Sequence, residues 1–78
     1  MAIAAKYYKP LLIARQKAQR FLKNPTAENN QQWLDAQRKL KTLMPNTPEF
    51  DCPRRAAKVD PLGMEVLEIA RRNNATML

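Results

Sequence analysis

Residues 6–23 read KYYKPLLIARQKAQRFLK, and Asn24-Pro25-Thr26 follow. At roughly 100° per residue on a helix, Ile3, Tyr7, Leu11, Ala14, Ala18, Phe21 and Leu22 fall on one face. Lys6, Lys9, Lys17, Arg20 and Lys23 fall on the opposite face, with Arg15 and Tyr8 at the border. An apolar stripe opposite a polar one is the signature of an amphipathic helix. Pro10 interrupts it, because proline lacks an N–H and crowds the preceding turn. Proline is favoured at the first helical position. The pattern therefore predicts a main helix from Pro10 to Lys23, with residues 2–8 as a separate turn or a kinked extension.

Asn24-Pro25-Thr26 breaks the pattern. Thr26 is a good N-cap, and Pro25 opposes continuation of the first helix. A second helix is expected from Ala27 to Met44, with Trp33, Ala36, Leu40, Leu43 and Met44 on one face. Asp35 is spaced to pair with Arg38 and Lys39 one turn later. So short a connection folds the two helices back antiparallel. The expected seam is Tyr7, Leu11, Ala14, Ala18 and Leu22 against Trp33, Ala36, Leu40 and Leu43. The alanines permit close approach.

Residues 45–60, PNTPEFDCPRRAAKVD, form a proline-rich connector. Pro45, Pro48 and Pro53 forbid one regular helix across it, while a single turn from Pro53 to Lys58 is allowed. Phe50 is its one large apolar residue and should pin it to the core. Asp60-Pro61 is a start signal of N-cap followed by proline. It predicts a third helix from Pro61 to Asn73, with Leu62, Val66, Ile69 and Ala70 buried. Met64 and Leu67 fall outside that stripe. The fold class expected is all-α: an antiparallel two-helix hairpin plus a third helix, one small domain over residues 1–78.

Composition agrees. Gly63 is the one glycine among 78 residues, so hairpin turns of the Asn-Gly kind have no supply. A chain this short buries about 60% of its unfolded surface and needs a further source of stability. Cys52 is alone and there is no His, which removes an internal disulfide and leaves too few ligands for a structural zinc site. No metal or other cofactor is expected.

Catalytic residues are also not expected. Without His or Ser there is neither a serine triad nor a Cys-His pair. Cys52 beside Arg54 and Arg55 could be activated, but reads better as an inert thiol. Glu65 and Glu68 could form a carboxylate pair. With Arg71 and Arg72 one turn later, they read better as a solvated ion-paired face. No glycine-rich phosphate loop occurs.

Charge carries the strongest functional signal. The net charge is +7, and no acid precedes Glu28. Cations repeated along one helix face repel one another unless solvent or an anion meets them. Phosphate backbones supply such anions, and counterion release drives the binding. The expected surface is Lys6, Lys9, Arg15, Lys17, Arg20 and Lys23, extended by Arg54, Arg55 and Lys58. Gln16, Gln19, Asn24 and Tyr8 lie close enough in sequence to add hydrogen bonds. Residues 24–26 are too short a link for a helix-turn-helix, so backbone contact is expected rather than base reading.

The expectation is a small non-enzymatic accessory or regulatory factor that contacts nucleic-acid phosphates. The alternative is an adaptor or inhibitor that turns the same face, or the third helix, to an acidic or apolar protein surface. Tyr8, Met64 and Leu67 are its contact candidates, and a homodimer through the third helix is one form of it. Trp33 is expected in the core, with stacking on a base as the rival role. The longest apolar run, Leu11–Ala14, is far short of the ~20 residues of a membrane span. A lone Cys suits a reducing cytoplasm. An acid-free basic N-terminus also suggests mitochondrial import, against which stands the absence of Ser.

Overall fold

A computed structural model describes the backbone of residues 5–73 and the side chains of residues 7–73. It is all-helical, with no strand among those residues. α1 spans Ala5–Lys23, α2 Ala27–Leu43, α3 Pro53–Ala56 and α4 Met64–Asn73. A short 3-10 turn, Pro48–Phe50, precedes α3. α1 and α2 form the expected hairpin, and α3 packs on α1. Ile3 lies outside the described residues, as does the side chain of Lys6.

The link between α1 and α2 follows from three residues. The Asn24 N–H donates to the Arg20 carbonyl and closes α1. The Thr26 hydroxyl accepts from the Asn29 N–H at 3.1 Å and caps α2. The Asn29 side chain donates back to the Asn24 carbonyl at 2.8 Å. The buried seam is Tyr7, Leu11, Ala14 and Ala18 against Trp33, Ala36 and Leu40. Small residues at the crossing let the backbones approach.

α1 does not begin at Pro10. It runs unbroken from Ala5, with Pro10 inside it. The missing N–H and ring crowding cost up to ~3 kcal/mol in a helix interior. Burial of Tyr7 and Leu11 on either side of Pro10 offsets that cost, because only a continuous helix puts both on the core face. Pro10→Ala should therefore raise stability by about 1–2 kcal/mol, and the melting temperature by ~4–8 °C per kcal/mol. A thermal melt checks this. A lower melting temperature would mean that proline's restraint on the unfolded chain outweighs its helical cost.

Leu22 and Leu43 were expected in the seam but are exposed, at 41% and 45%. Each sits in the last turn of its helix. Phe21 packs against the core beside Leu22. Met44 takes the buried place next to Leu43: its N–H closes α2 on the Leu40 carbonyl, and its backbone then leaves the helical region.

The connector is held as expected by Phe50, which is fully buried. The Gln37 side chain of α2 donates to the Phe50 carbonyl at 2.6 Å. Buried Thr47 donates its hydroxyl to the Met44 carbonyl at 2.9 Å, and Lys41 pairs with Asp51 at 2.8 Å. The chain then makes the single turn α3 and buries Ala56 and Val59.

The last helix starts at Met64, three residues later than Asp60-Pro61 predicts. Asp60 spends its carboxylate on the Leu62 N–H at 3.0 Å, and its carbonyl accepts from the Gly63 N–H. These bonds close a turn, so helical bonding begins from the Gly63 carbonyl to the Leu67 N–H. A Cβ on Gly63 would stand 2.7 Å from Asp60 Oδ2, so the turn favours glycine there. Pro61 is buried in place of Leu62, which is 81% exposed. Val66, Ile69 and Ala70 are buried as expected. Asn73 fastens the C-terminal end of α4: it accepts from the Asn46 N–H at 2.6 Å and donates to the Asn46 carbonyl at 2.8 Å.

Two expected charge pairings are replaced. Asp35 accepts from Gln31 at 3.0 Å rather than pairing with Arg38 or Lys39. Arg72 reaches across to Glu49 at 2.8 Å, where Glu65 and Glu68 of its own helix were expected. Glu49 raises the Arg72 pKa above its ordinary value through this bond. The link between segments is thus the larger influence, and the charge of Glu68 on its own helix a smaller one.

Candidate nucleic-acid interface

Helical spacing sets the cations of α1 on its outer side, and the fold then sorts them. Lys9, Arg20 and Lys23 are exposed. Lys17 is half-buried and donates to Gln32 of α2 at 3.2 Å, so one of its hydrogens belongs to the hairpin. Arg15 is also half-buried, and its Nε is enclosed without a hydrogen-bond partner. Tyr8 is half-buried as well.

Arg54, Arg55 and Lys58 are exposed on and just after α3. Sequence separates them from α1 by about thirty residues, and packing of α3 on α1 removes that separation. The Gln19 side chain donates to the Ala57 carbonyl at 3.0 Å, which bolts the two segments together beside Lys58. Gln19 was a candidate for ligand hydrogen bonds; it serves this joint instead. Gln16 remains exposed. Arg20 and Lys23 on α1, and Arg54, Arg55 and Lys58 on and after α3, are thus exposed on two segments that pack together, with Lys9 nearer the start of α1.

The two cations at the end of α1 have a local duty as well. A helix C-terminus carries roughly half a negative charge, which Arg20 and Lys23 oppose. Two full charges exceed it, so the end of the helix stays positive.

Met64 is 78% exposed and Leu67 half-buried on α4, on the side away from Val66, Ile69 and Ala70. Cys52 is half-buried at the start of α3. The backbone N–H groups of Arg55 and Arg54 push its thiol pKa below the ordinary value. A lower pKa leaves more thiolate at neutral pH. Alkylation of the native protein should thus show a rate-against-pH midpoint below that of the urea-unfolded chain. Coincident midpoints would show that these contacts do not persist in solution. Among the described residues, no group of three or more His, Cys, Asp or Glu could hold a metal ion. Among the same residues, no helix is long and apolar enough to cross a membrane.

No family model matches the chain, and no curated protein or solved structure matches it.

Proposed function

We propose that this is a small non-enzymatic factor that binds nucleic-acid phosphates through α1 and α3. The observation that carries the reading is the Gln19–Ala57 bond, which joins the two segments that bear these cations. Arg20, Lys23, Arg54, Arg55 and Lys58 are all exposed, and none of the described acids forms an ion pair with them. Like charges gathered on one rigid surface raise the local potential and attract a polyanion. The exposed side chains here offer charge more than base-reading groups, which suits contact with the phosphate backbone. An accessory or regulatory role follows from the small size and the absence of a catalytic set in the sequence. A reducing cytoplasm is the compartment this reading implies, and the lone Cys52 supports it.

The test is a titration of labelled nucleic acid followed by anisotropy. Binding is expected at low salt and should weaken steeply as salt rises. No binding to DNA or RNA at low salt overturns the reading.

One observation favours a second reading. Leu62 and Met64 expose most of their apolar surface at the start of α4. A protein partner, or a second copy of the chain, would cover such side chains. Under that reading Met64→Asp abolishes partner binding, whereas it leaves phosphate binding intact.

A further inference from the structure

We infer that the preferred ligand of the α1–α3 surface is a duplex rather than a single strand. The inference rests on the reading that this surface meets nucleic-acid phosphates. It adds where the aromatic rings are.

Proteins that hold single strands combine cations with exposed aromatic faces, on which the unpaired bases stack. This chain has one Trp, two Tyr and two Phe. Four of the five are spent on the core, and the fifth, Tyr8, is half-buried. Trp33 is 3% exposed, Tyr7 6% and Phe50 fully buried. Phe21 packs against the core, and Tyr8 is half-buried. No ring stands free beside Arg20, Lys23, Arg54, Arg55 or Lys58.

Such a surface rewards closely set phosphates and gives bases nothing to stack on. A duplex keeps its bases stacked internally and presents two phosphate strands at fixed, dense spacing. The cations are carried on two segments joined by a side-chain bond, so the placement of their backbones is set before binding. A single strand would have to unstack its bases and order its backbone to match, without aromatic contacts in return. Duplex DNA and duplex RNA share the required chemistry.

The experiment compares a short DNA duplex, the same sequence as an RNA duplex, and one separated DNA strand. All are titrated with the full chain by anisotropy across a salt series. Either duplex should bind about 10-fold or more tighter than the single strand. If the five cations each meet one phosphate, log K should fall with log salt at a slope of about −4.5 on duplex DNA. Tighter binding of either duplex supports the inference and identifies the duplex concerned. Equal or tighter binding of the single strand overturns it and leaves phosphate binding standing. Failure of all three to bind at low salt overturns phosphate binding itself, and the inference with it.

Discussion

Phe50→Ala should remove a large share of the protein's stability. Truncating a fully buried Phe costs about 3–5 kcal/mol, from lost burial and from the cavity left behind. A chain of this size has a total stability on the order of 4–12 kcal/mol. Phe50 holds more than its own share of the core. It is the large apolar anchor of the connector, and its carbonyl takes the Gln37 side chain. The 3-10 turn that contains it packs on α3, and α3 packs on α1. Losing the ring therefore also loosens Arg54, Arg55 and Lys58 from their place beside α1. Urea denaturation followed by circular dichroism should show the loss. A change under about 1 kcal/mol would mean that the connector is not held by Phe50, because even a partly collapsed cavity costs more.

The second large effect concerns charge. Reversing Arg20, Lys23 and Lys58 to Glu should weaken nucleic-acid binding by roughly 10³-fold at about 50 mM salt. Each reversal removes two units from a net charge of +7. The salt slope should become shallower by about 3, because three phosphate contacts are gone. All three side chains are exposed, so the core is untouched. Arg20 and Lys23 do oppose the dipole at the end of α1. Glu at those positions should cost about 0.3–1 kcal/mol of stability each. The matching Gln variants separate the two effects: they remove charge without adding repulsion. They should stay folded and still lose most of the salt dependence. Unchanged affinity in the folded Glu variant would place the binding surface elsewhere on the molecule.

The hairpin was legible because its signals are local. Thr26 caps the helix that follows it, Pro25 stops the one before, and a 3.6-residue period marks the inner faces. Phe50 could be singled out because it is the large apolar residue of a polar stretch. Local signals also misled. Pro10 reads as a helix start, yet burial on both sides keeps it inside α1. Asp60-Pro61 reads as a cap, yet the carboxylate closes a turn first and delays α4. Leu22 and Leu43 continue their stripes past the point where the fold covers them.

The candidate surface divides in the same way. Sequence alone determined an all-α chain, a hairpin, and two groups of cations, because periodicity, capping and charge act over a few residues. Tertiary structure alone decided what surrounds each cation. Lys17 is drawn toward Gln32, Arg15 is partly enclosed, and the α3 cations are brought to α1 by Gln19. It also decided that Tyr8, at the border of the two faces, is half-buried. The reason is that these outcomes depend on contacts between residues far apart in the chain, and only packing selects among the partners that local pattern allows.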